Sequence, residues 1–505
     1  MATEPELNAD DIQGNILVGF RRSQQYLVGF TGATLSSLRQ ALQLIGSLVT
    51  TIPAVLEHKD ERKMAFLAGR GRPQRSDLWL NYAIGMTAMN LLDLKSLQGD
   101  DLALTAGMVP SRTGDSKVAT LPNGSPNLAC PDNWIVGGPK HPLDLLLIFA
   151  ADQDIQNASA QIVQQVETFG LKKIYEEEGH LLPGDAEHFG FQDGISQPGF
   201  YGTVEIDGAK RFLTTRYGVA PMNGVDFGKP AQPLQDPFQF IFDSSDPLLQ
   251  NSSYLVFRRL NQDVAKFYSV TDQIAGSLAT ATEPGLAGDT LRARMIGRWP
   301  SGEPVMRQSA PPHAAESTLA LNYFQFGIDS PDLTLRDGEK IPGATGDPEV
   351  ERGGRCPVWA HIRKVNPRDQ QTDIGGPDNT RGFQMLRRGI PFGPLYDHKN
   401  PANSDNQRER GLLFLSYQRS ISNQFEQLNG DWMNSASNPT PYGFDLLVGQ
   451  QMDAAGLNGP RDADYFSSKT GTTERFTVPS QWIFPTGGAY LFAPSVSLTK
   501  RLGSV

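Results

Sequence analysis

One pattern of apolar and polar positions recurs four times along the chain. A short apolar segment is followed by a polar turn and then by residues with helical spacing. In the first unit, Leu35, Leu38 and Leu42 recur at intervals of three and four residues, which is the spacing of one helix face. The pattern predicts strand and helix pairs at 26–30 and 35–48, 143–149 and 155–169, 254–257 and 262–274, and 412–417 and 421–428, with further strands at 78–84 and 489–492.

The four units fall two in each half of the chain, which indicates duplication of one α+β unit. Gly, Pro and polar residues accumulate between Tyr201 and Pro237, so we predict a first domain over 1–215 and a second over 216–505. Residues 285–355 show little periodicity and are rich in Pro, Gly and Asp. Compact domains rarely carry such a long segment without a use, so we predict an ordered insertion on the second domain.

The composition narrows the functional classes. The chain has 505 residues, of which 39% are hydrophobic and 20% are charged, and its net charge is −10. No basic stripe is present to neutralise phosphates, so a general role in binding nucleic acid is not expected. The N-terminus lacks an apolar signal region and no run of about 18 apolar residues could span a bilayer, so we expect a cytoplasmic protein without membrane contact. A secreted protein trimmed to its mature form would look the same.

The cysteines and histidines limit the metal chemistry. Cys130 and Cys356 provide neither a disulfide framework nor a zinc-binding spacing. The seven histidines form no helical pair typical of zinc enzymes. A single histidine is enough for heme, because the porphyrin supplies four nitrogens. A lone histidine is more often structural, but His361 is followed by Arg363 and Lys364, and heme propionates need cations.

The segment from Phe189 to Gly199 is the most informative part of the chain. It places Asp193 in a glycine-rich turn between apolar residues, where glycines let the backbone turn tightly and approach a bulky ligand. A carboxylate in this setting is either part of a hairpin turn or a catalytic acid/base. Asp-Gly alone favours the turn.

Three segments together resemble the dye-decolorizing peroxidases, a family of heme enzymes. They are Gly190-Phe-Gln-Asp193-Gly194, the stretch from Ala360 to Arg368, and the stretch from Met385 to Gly393. The resemblance implies an α+β fold of two ferredoxin-like domains with antiparallel sheets and peripheral helices, and one heme b per chain in the C-terminal half. It also implies a peroxidase that uses hydrogen peroxide to oxidise organic donors, including bulky dyes and phenolic compounds.

The resemblance also implies roles for individual residues. His361 matches the axial iron ligand, and Arg363 would meet a heme propionate. Asp193 matches the acid/base that moves a proton between the two peroxide oxygens. A cation must stabilise charge on the leaving oxygen. The family has an arginine four residues before the proline of a rigid turn, which selects Arg387, whereas Arg388 is expected to be a solvated surface charge.

Two further groups of residues follow from the same resemblance. Alternation places Leu412 and Phe414 on one strand face, which is either plain sheet core or the wall above the heme. Asp445 resembles the acidic partner of the ligand histidine. Phe392 stands where the family often has a tyrosine that serves as a surface oxidation site. Bulky dyes would then need another aromatic residue, for which we name Trp432; the alternative is a half-buried anchor.

Two other functions stay open from the sequence. One is a heme or iron-handling binding protein without enzymatic activity, and the other is a chlorite-type heme enzyme of the same superfamily. A binding protein would not need Asp193 and Arg387, and chlorite chemistry needs no carboxylate that moves a proton. A heme spectrum with and without hydrogen peroxide would separate a carrier from a peroxidase.

Overall fold

Nine of the described strands form one antiparallel sheet. In this computed structural model they are β1 (Gln24–Thr31), β2 (Trp79–Ile84), β3 (Leu145–Ala151), β4 (Lys172–His180), β5 (Ser253–Gln262), β6 (Leu386–Arg387), β7 (Ile390–Phe392), β8 (Gly411–Gln418) and β9 (Ile483–Ala493). The structure describes residues 6–94, 102–200, 203–206, 209–212, 236–242, 250–307, 320–322, 324–326, 329–330, 333–334, 340–341, 344–345, 355–441, 443–467 and 469–504.

Several helices begin where the sequence supplies a cap. Thr34 and Ser37 form a capping box at the first helix, and Asp263 and Ser420 accept hydrogen bonds from backbone N–H groups of the helices that follow them. The main helices of the described chain are α1 (Leu35–Gly46), α2 (Ile52–Leu67), α3 (Ile155–Thr168), α4 (Val264–Ala281), α5 (Gly288–Ile296), α6 (His361–Val365), the π-helix α7 (Ile421–Met433) and α8 (Val496–Gly503). Smaller elements include the helices Met86–Leu91 and Leu102–Ala106 and the hairpin of Arg461–Ser467 with Thr472–Val478.

Each half of the chain has a ferredoxin-like topology. The first half follows the order β1-α1-β2-β3-α3-β4, and its strands lie side by side as β4-β1-β3-β2. The second half follows β5-α4-β6/β7-β8-α7-β9, and its strands lie as β7-β8-β5-β9. The predicted α+β class with two ferredoxin-like sheets is therefore confirmed.

The two sheets join into a closed ring. β9 meets β2 through Phe492 and Ile84, and β7 meets β4 through Phe392 and Gly179. Alternate residues therefore point into the ring or outward, so that Leu27 belongs to the inner core whereas Tyr26 and Val28 pack with the helices outside. The predicted boundary between 215 and 216 lies outside the described residues and stays a prediction.

Several elements differ from their predicted form. Helix α4 ends at Ala281 rather than near 274, because Ala275 and Leu278 continue its buried face. Part of the stretch predicted to be an insertion without periodicity forms helix α5, which packs on α4. Most of the remainder of that stretch lies outside the described residues. None of the helices that the structure describes is long and apolar enough to cross a membrane.

Arg387 is the last residue of strand β6, and Arg388 lies between β6 and β7. Arg387 pairs with Ser416 and Ile390 pairs with Leu413, so β6 and β7 keep one register against β8. Arg388 also donates its backbone N–H to Leu415. Gly389 and Pro391 suggested a turn in this segment, but hydrogen bonds to the neighbouring strand β8 hold it extended.

The close approach of strands β5 and β8 at Gly411 leads to a prediction about stability. A Cβ built on Gly411 would overlap the carbonyl oxygen of Leu260 on β5. We expect Gly411→Ala to lower the free energy of unfolding by about 1–3 kcal/mol, since the strands must separate to admit the methyl group. Denaturant titration measures the change.

The matched control is Gly276→Ala in helix α4, where a Cβ would meet no atom within 4 Å. This substitution should raise stability by up to about 1 kcal/mol, because alanine loses less backbone entropy in a helix. Equal effects of the two substitutions would contradict the close approach of β5 and β8.

Candidate active site

A cavity lies on the outer face of the second sheet. Alternate residues of β5 and β8 form its floor, whereas their neighbours Phe257, Leu413 and Leu415 belong to the core inside the ring. The loop 187–198, helix α6 and the π-helix α7 enclose the remaining sides. The cavity has an empty volume of about 1880 Å³, including its open mouth. The residues of the floor are Arg258, Leu260, Gln262, Leu412 and Phe414.

His361 enters the cavity at the first residue of helix α6. Its Nδ1 lies 2.7 Å from Oδ2 of Asp445, which leaves Nε2 as the ring nitrogen available for a ligand bond. The side chain of Asp445 is fully buried, and its Oδ1 accepts hydrogen bonds from the backbone N–H groups of Leu447 and Val448. The imidazole is thereby fixed in orientation by a carboxylate that is itself held by the backbone.

The electrostatics keep Asp445 ionised. Burial by itself would raise the pKa of this carboxyl group. The charge and hydrogen bond of His361 and the two backbone donors outweigh burial, and the pKa of Asp445 lies below its ordinary value. An ionised partner makes the imidazole more electron-donating towards a metal.

Asp193 and Arg387 meet at another part of the cavity wall. Oδ1 of Asp193 accepts a hydrogen bond from the backbone N–H of Gly194 at 2.6 Å and from Nη1 of Arg387 at 3.3 Å. The side chains are 38% and 31% exposed, so both can be reached from the cavity. Gly190 and Gly194 both have positive φ angles, which explains why the loop needs glycine at these positions.

Arg387 is held by groups other than Asp193. Its Nη2 donates to the carbonyl of Ser196 at 2.8 Å, and its backbone N–H donates to Oε1 of Gln197 at 3.0 Å. These contacts connect the strand β6 to the loop that carries Asp193. The structure therefore places the acid/base candidate and the cation candidate side by side, and their roles stay predictions.

Arg388 binds to the protein backbone and does not line the cavity. Its guanidinium donates to the carbonyls of Asn15, Ile16 and Leu17 at the end of the short helix Gly14–Leu17. Burial lowers the pKa of Arg388 to about 9. The prediction of a solvated surface charge was wrong, because the helix end and Gly19 enclose the side chain.

A second group of cations lies at the edge of the cavity. Arg298 donates to the carbonyls of Gly302 and Leu321 and to Oγ of Ser196, and Arg368 donates to the carbonyl of Phe324. Burial and then the charge of Arg298 lower the pKa of Arg368 to about 9. An anion between them would relieve this repulsion.

Arg363 is not among the side chains that line the cavity. Its Nε donates to Oε1 of Gln370 at 2.8 Å, and its Nη1 donates to the carbonyl of Cys356. The expected contact with a propionate stays a prediction, and these contacts favour Arg298 and Arg368 for that role.

Three aromatic predictions have different outcomes. Phe414 and Leu412 share one face of β8, as the alternation predicted, and both side chains line the cavity. Phe392 is 1% exposed and packs under the guanidinium of Arg259. Trp432 is 0% exposed, and its ring contacts Phe383. Trp432 is therefore neither exposed nor half-buried. Its neighbours in sequence are mostly polar, and they did not show that Trp432 lies on the buried face of helix α7.

Sequence reasoning assigned no role to several cavity residues. Arg368 ends the segment from Ala360 to Arg368, which supported the resemblance, and directly follows Pro367, whereas Arg298 precedes Pro300 by two residues. Glu187 stands six residues before Asp193, and Gln262 ends β5. Arg298, Arg368 and Glu187 could have been found in the sequence as charged residues close to a motif or a proline. No sequence signal pointed to Gln262.

The donor set fits a heme better than a bare metal ion. In the part of the chain that the structure describes, no group of three or more His, Cys, Asp and Glu could hold a metal ion. One histidine with a carboxylate partner, an apolar wall and cations at one edge are the groups that iron protoporphyrin requires. The apolar wall includes Ile362, Val365, Leu428, Leu447 and Val448.

Comparisons with known proteins agree with this geometry. Residues 305–440 match the family described as Dyp-type peroxidase, C-terminal. This span includes His361, Arg387, Leu412 and Phe414, whereas Asp193 and Asp445 lie outside it.

Similar proteins extend over nearly the whole chain. Dye-decolorizing peroxidase msp1 of Mycetinis scorodonius is 28% identical over 99% of this chain and 88% of its own. Multifunctional dye peroxidase DyP2 of an Amycolatopsis species is 26% identical over 98% of this chain and 95% of its own. The crystal structure of a decolorizing peroxidase from Auricularia auricula-judae has a TM-score of 0.71 at 25% identity and covers 99% of this chain and 100% of that one.

The contrast between the two arginines generates a prediction. Arg388→Leu should lower the free energy of unfolding by about 1.5–3 kcal/mol, since a charged donor to the helix carbonyls is lost. Arg387→Leu should change stability less, because its side chain is partly exposed in the cavity. Denaturant unfolding of both variants measures the difference, and greater destabilisation by Arg387→Leu would contradict the assignment.

Proposed function

The chain belongs to the dye-decolorizing peroxidase family, and on that premise we propose that it is a heme peroxidase that uses hydrogen peroxide to oxidise organic donors, including dyes and phenolic compounds. The observation that carries the proposal is one cavity lined by both the His361–Asp445 pair and the Asp193–Arg387 pair. The first pair suits an iron ligand, and the second suits proton transfer and charge stabilisation.

We assign one heme b to the cavity of each chain. When bound, the heme supplies the iron at which peroxide is reduced and through which donors return single electrons. His361 would bind the iron through Nε2, since Nδ1 is engaged by Asp445. Arg298 and Arg368 would hold the propionates, whose negative charge offsets the repulsion between the two guanidinium groups. Leu412 and Phe414 would limit the space beside the ring.

Asp193 and Arg387 divide the peroxide chemistry. Asp193 takes a proton from one peroxide oxygen and returns it to the other, so that the leaving group departs as water. Arg387 stabilises the charge that develops on the leaving oxygen, and its contacts with Ser196 and Gln197 place this cation before the reaction begins. Overall, one hydrogen peroxide, two electrons and two protons form two waters.

The distal pair also distinguishes this proposal from its rivals. A heme carrier needs neither the carboxylate nor the cation, and chlorite conversion needs no proton transfer by Asp193. The similar proteins named above are peroxidases, which supports the same choice. The burial of Phe392 and Trp432 gives no support to either as a surface contact for bulky dyes.

The axial assignment generates a prediction about heme retention. His361→Ala should abolish stable heme binding, and Asp445→Asn should weaken heme retention or activity on the order of 10–100-fold, because the imidazole loses its fixed orientation. Transfer of heme to an acceptor protein, followed by absorption spectroscopy, measures retention. A histidine-type heme spectrum in His361→Ala would exclude this residue as the ligand.

The distal assignment generates a kinetic prediction. Arg387→Leu should slow the reaction of the heme protein with hydrogen peroxide on the order of 10²–10³-fold, since one preorganised charge-stabilising group is lost. Asp193→Asn should also slow it, because the amide cannot accept the proton. Stopped-flow absorption measures both rate constants.

The matched control is Arg408→Leu, which removes an exposed arginine whose described ion pair is with Asp405 at 3.3 Å. This variant should react with peroxide at the wild-type rate. Equal rates in wild type and Arg387→Leu would reject the proposed role of Arg387.

A further inference from the structure

A second carboxylate, Glu187, lies in the wall of the same cavity. Its Oε1 accepts a hydrogen bond from the backbone N–H of Phe191 at 3.1 Å. Its Oε2 accepts from the backbone N–H of Phe189 at 2.9 Å and from Nε2 of Gln262 at 2.6 Å. One side chain therefore ties together the tip of the loop and the end of strand β5.

These contacts define the shape of the loop that carries Asp193. The backbone N–H of Glu187 donates to the carbonyl of Phe191, and a bridge between Ala186 and Gln192 closes the turn. The next residue, Asp193, donates its backbone N–H to the carbonyl of Asp185. The Glu187 carboxylate thus fills the centre of the turn from which Asp193 projects.

Gln262 has an unused acceptor beside this carboxylate. Within the described residues, its buried Oε1 accepts no hydrogen bond, although its Nε2 donates to Glu187. Rotation of the amide by half a turn would exchange the two atoms. A protonated Glu187 could then donate its O–H to Oε1 of Gln262, so both protonation states have a partner in Gln262.

We propose that Glu187, together with Gln262, is a positioning residue for Asp193 that takes up and releases a proton at the cavity wall. The ionised form binds the amide nitrogen of Gln262, and the protonated form binds its oxygen. The proton therefore changes both the charge beside Asp193 and the hydrogen bonding of its loop. This inference rests on the proposed function only for its effect on the peroxide reaction.

The electrostatic setting is consistent with a proton exchange near neutrality. Burial raises the pKa of Glu187 to about 7, although the two backbone donors and Gln262 oppose this shift, and the charge of Asp193 adds to it. Tyr268 of helix α4 also faces Glu187, while the ring of His188 is directed to the carbonyl of Phe392. The cations that line the same cavity are Arg258, Arg298, Arg368 and Arg387.

The sign of the stability effect follows from the raised pKa. Between the ordinary glutamate value and about 7, the folded protein binds a proton more tightly than the unfolded chain. The contribution of Glu187 to stability is therefore present at acid pH and is lost as the pH rises through this window. Glu187→Gln carries no charge and should lose this dependence.

The effect on the peroxide reaction has a defined direction. Ionisation of Glu187 adds a negative charge next to Asp193 and reduces the positive potential that Arg387 presents to the leaving oxygen. The rate constant for hydrogen peroxide should therefore fall as the pH rises through about 7. Glu187→Gln should remove this inflection.

The experiment titrates Glu187 in the heme-loaded protein by two methods that need no turnover. Infrared difference spectroscopy between about pH 5 and pH 9 should show a protonated carboxyl band that disappears near neutrality in wild type and is absent in Glu187→Gln. Thermal unfolding across the same range should show the corresponding stability change. Gln262→Leu should move the infrared inflection upward by about one to two pH units, because the charge-assisted hydrogen bond lost by the ionised form is stronger than the neutral bond lost by the protonated form.

Asp185→Asn is the matched control, since Asp185 lies on the same loop but its side chain pairs with Arg72 at 3.6 Å outside the cavity lining. This variant should keep the infrared band and the inflection in the peroxide rate. Retention of the band in Glu187→Gln, or an unshifted inflection in Gln262→Leu, would overturn the proposal. A wild-type protein that titrates as expected but does not react with peroxide would instead contradict the proposed function.

Discussion

The pairing of β5 with β8 is the constraint on which the cavity depends. Eight consecutive residue pairs join these strands, from Gly411 opposite Asn261 to Gln418 opposite Tyr254. Because strand residues alternate between faces, this register places Leu412 and Phe414 in the cavity wall and their neighbours inside the ring. A shift by one residue would exchange these faces, and the cavity would lose its apolar floor.

The two chemical pairs of the cavity are held in different ways. Asp445 lies in a buried loop, where backbone N–H groups and His361 stabilise its charge. Asp193 and Arg387 remain partly exposed, and their positions depend on contacts between a glycine-rich loop and a short strand. A histidine held by a buried carboxylate suits a permanent ligand, whereas a pair that is partly exposed on both sides suits groups that must contact a reactant.

Charge is concentrated around the cavity at some cost to folding. Burial opposes ionisation of Arg368 and raises the pKa of Glu187 to about 7. A bound heme with anionic propionates would compensate the cations at one edge, so heme binding should also contribute to the stability of the folded protein. Binding and folding are thereby linked through the same side chains.

The sequence alone determined the features that depend on local periodicity. It identified the α+β class, the alternation at Leu412 and Phe414, and the motifs around Asp193, His361 and Arg387, because these signals lie within a few consecutive residues. Only the tertiary structure decided which elements become neighbours. It buried Trp432 of helix α7 against Phe383, placed Arg388 against the end of a distant helix, and brought Glu187 to within hydrogen-bonding distance of Gln262. These outcomes depend on distances between residues far apart in the chain, which local spacing does not encode.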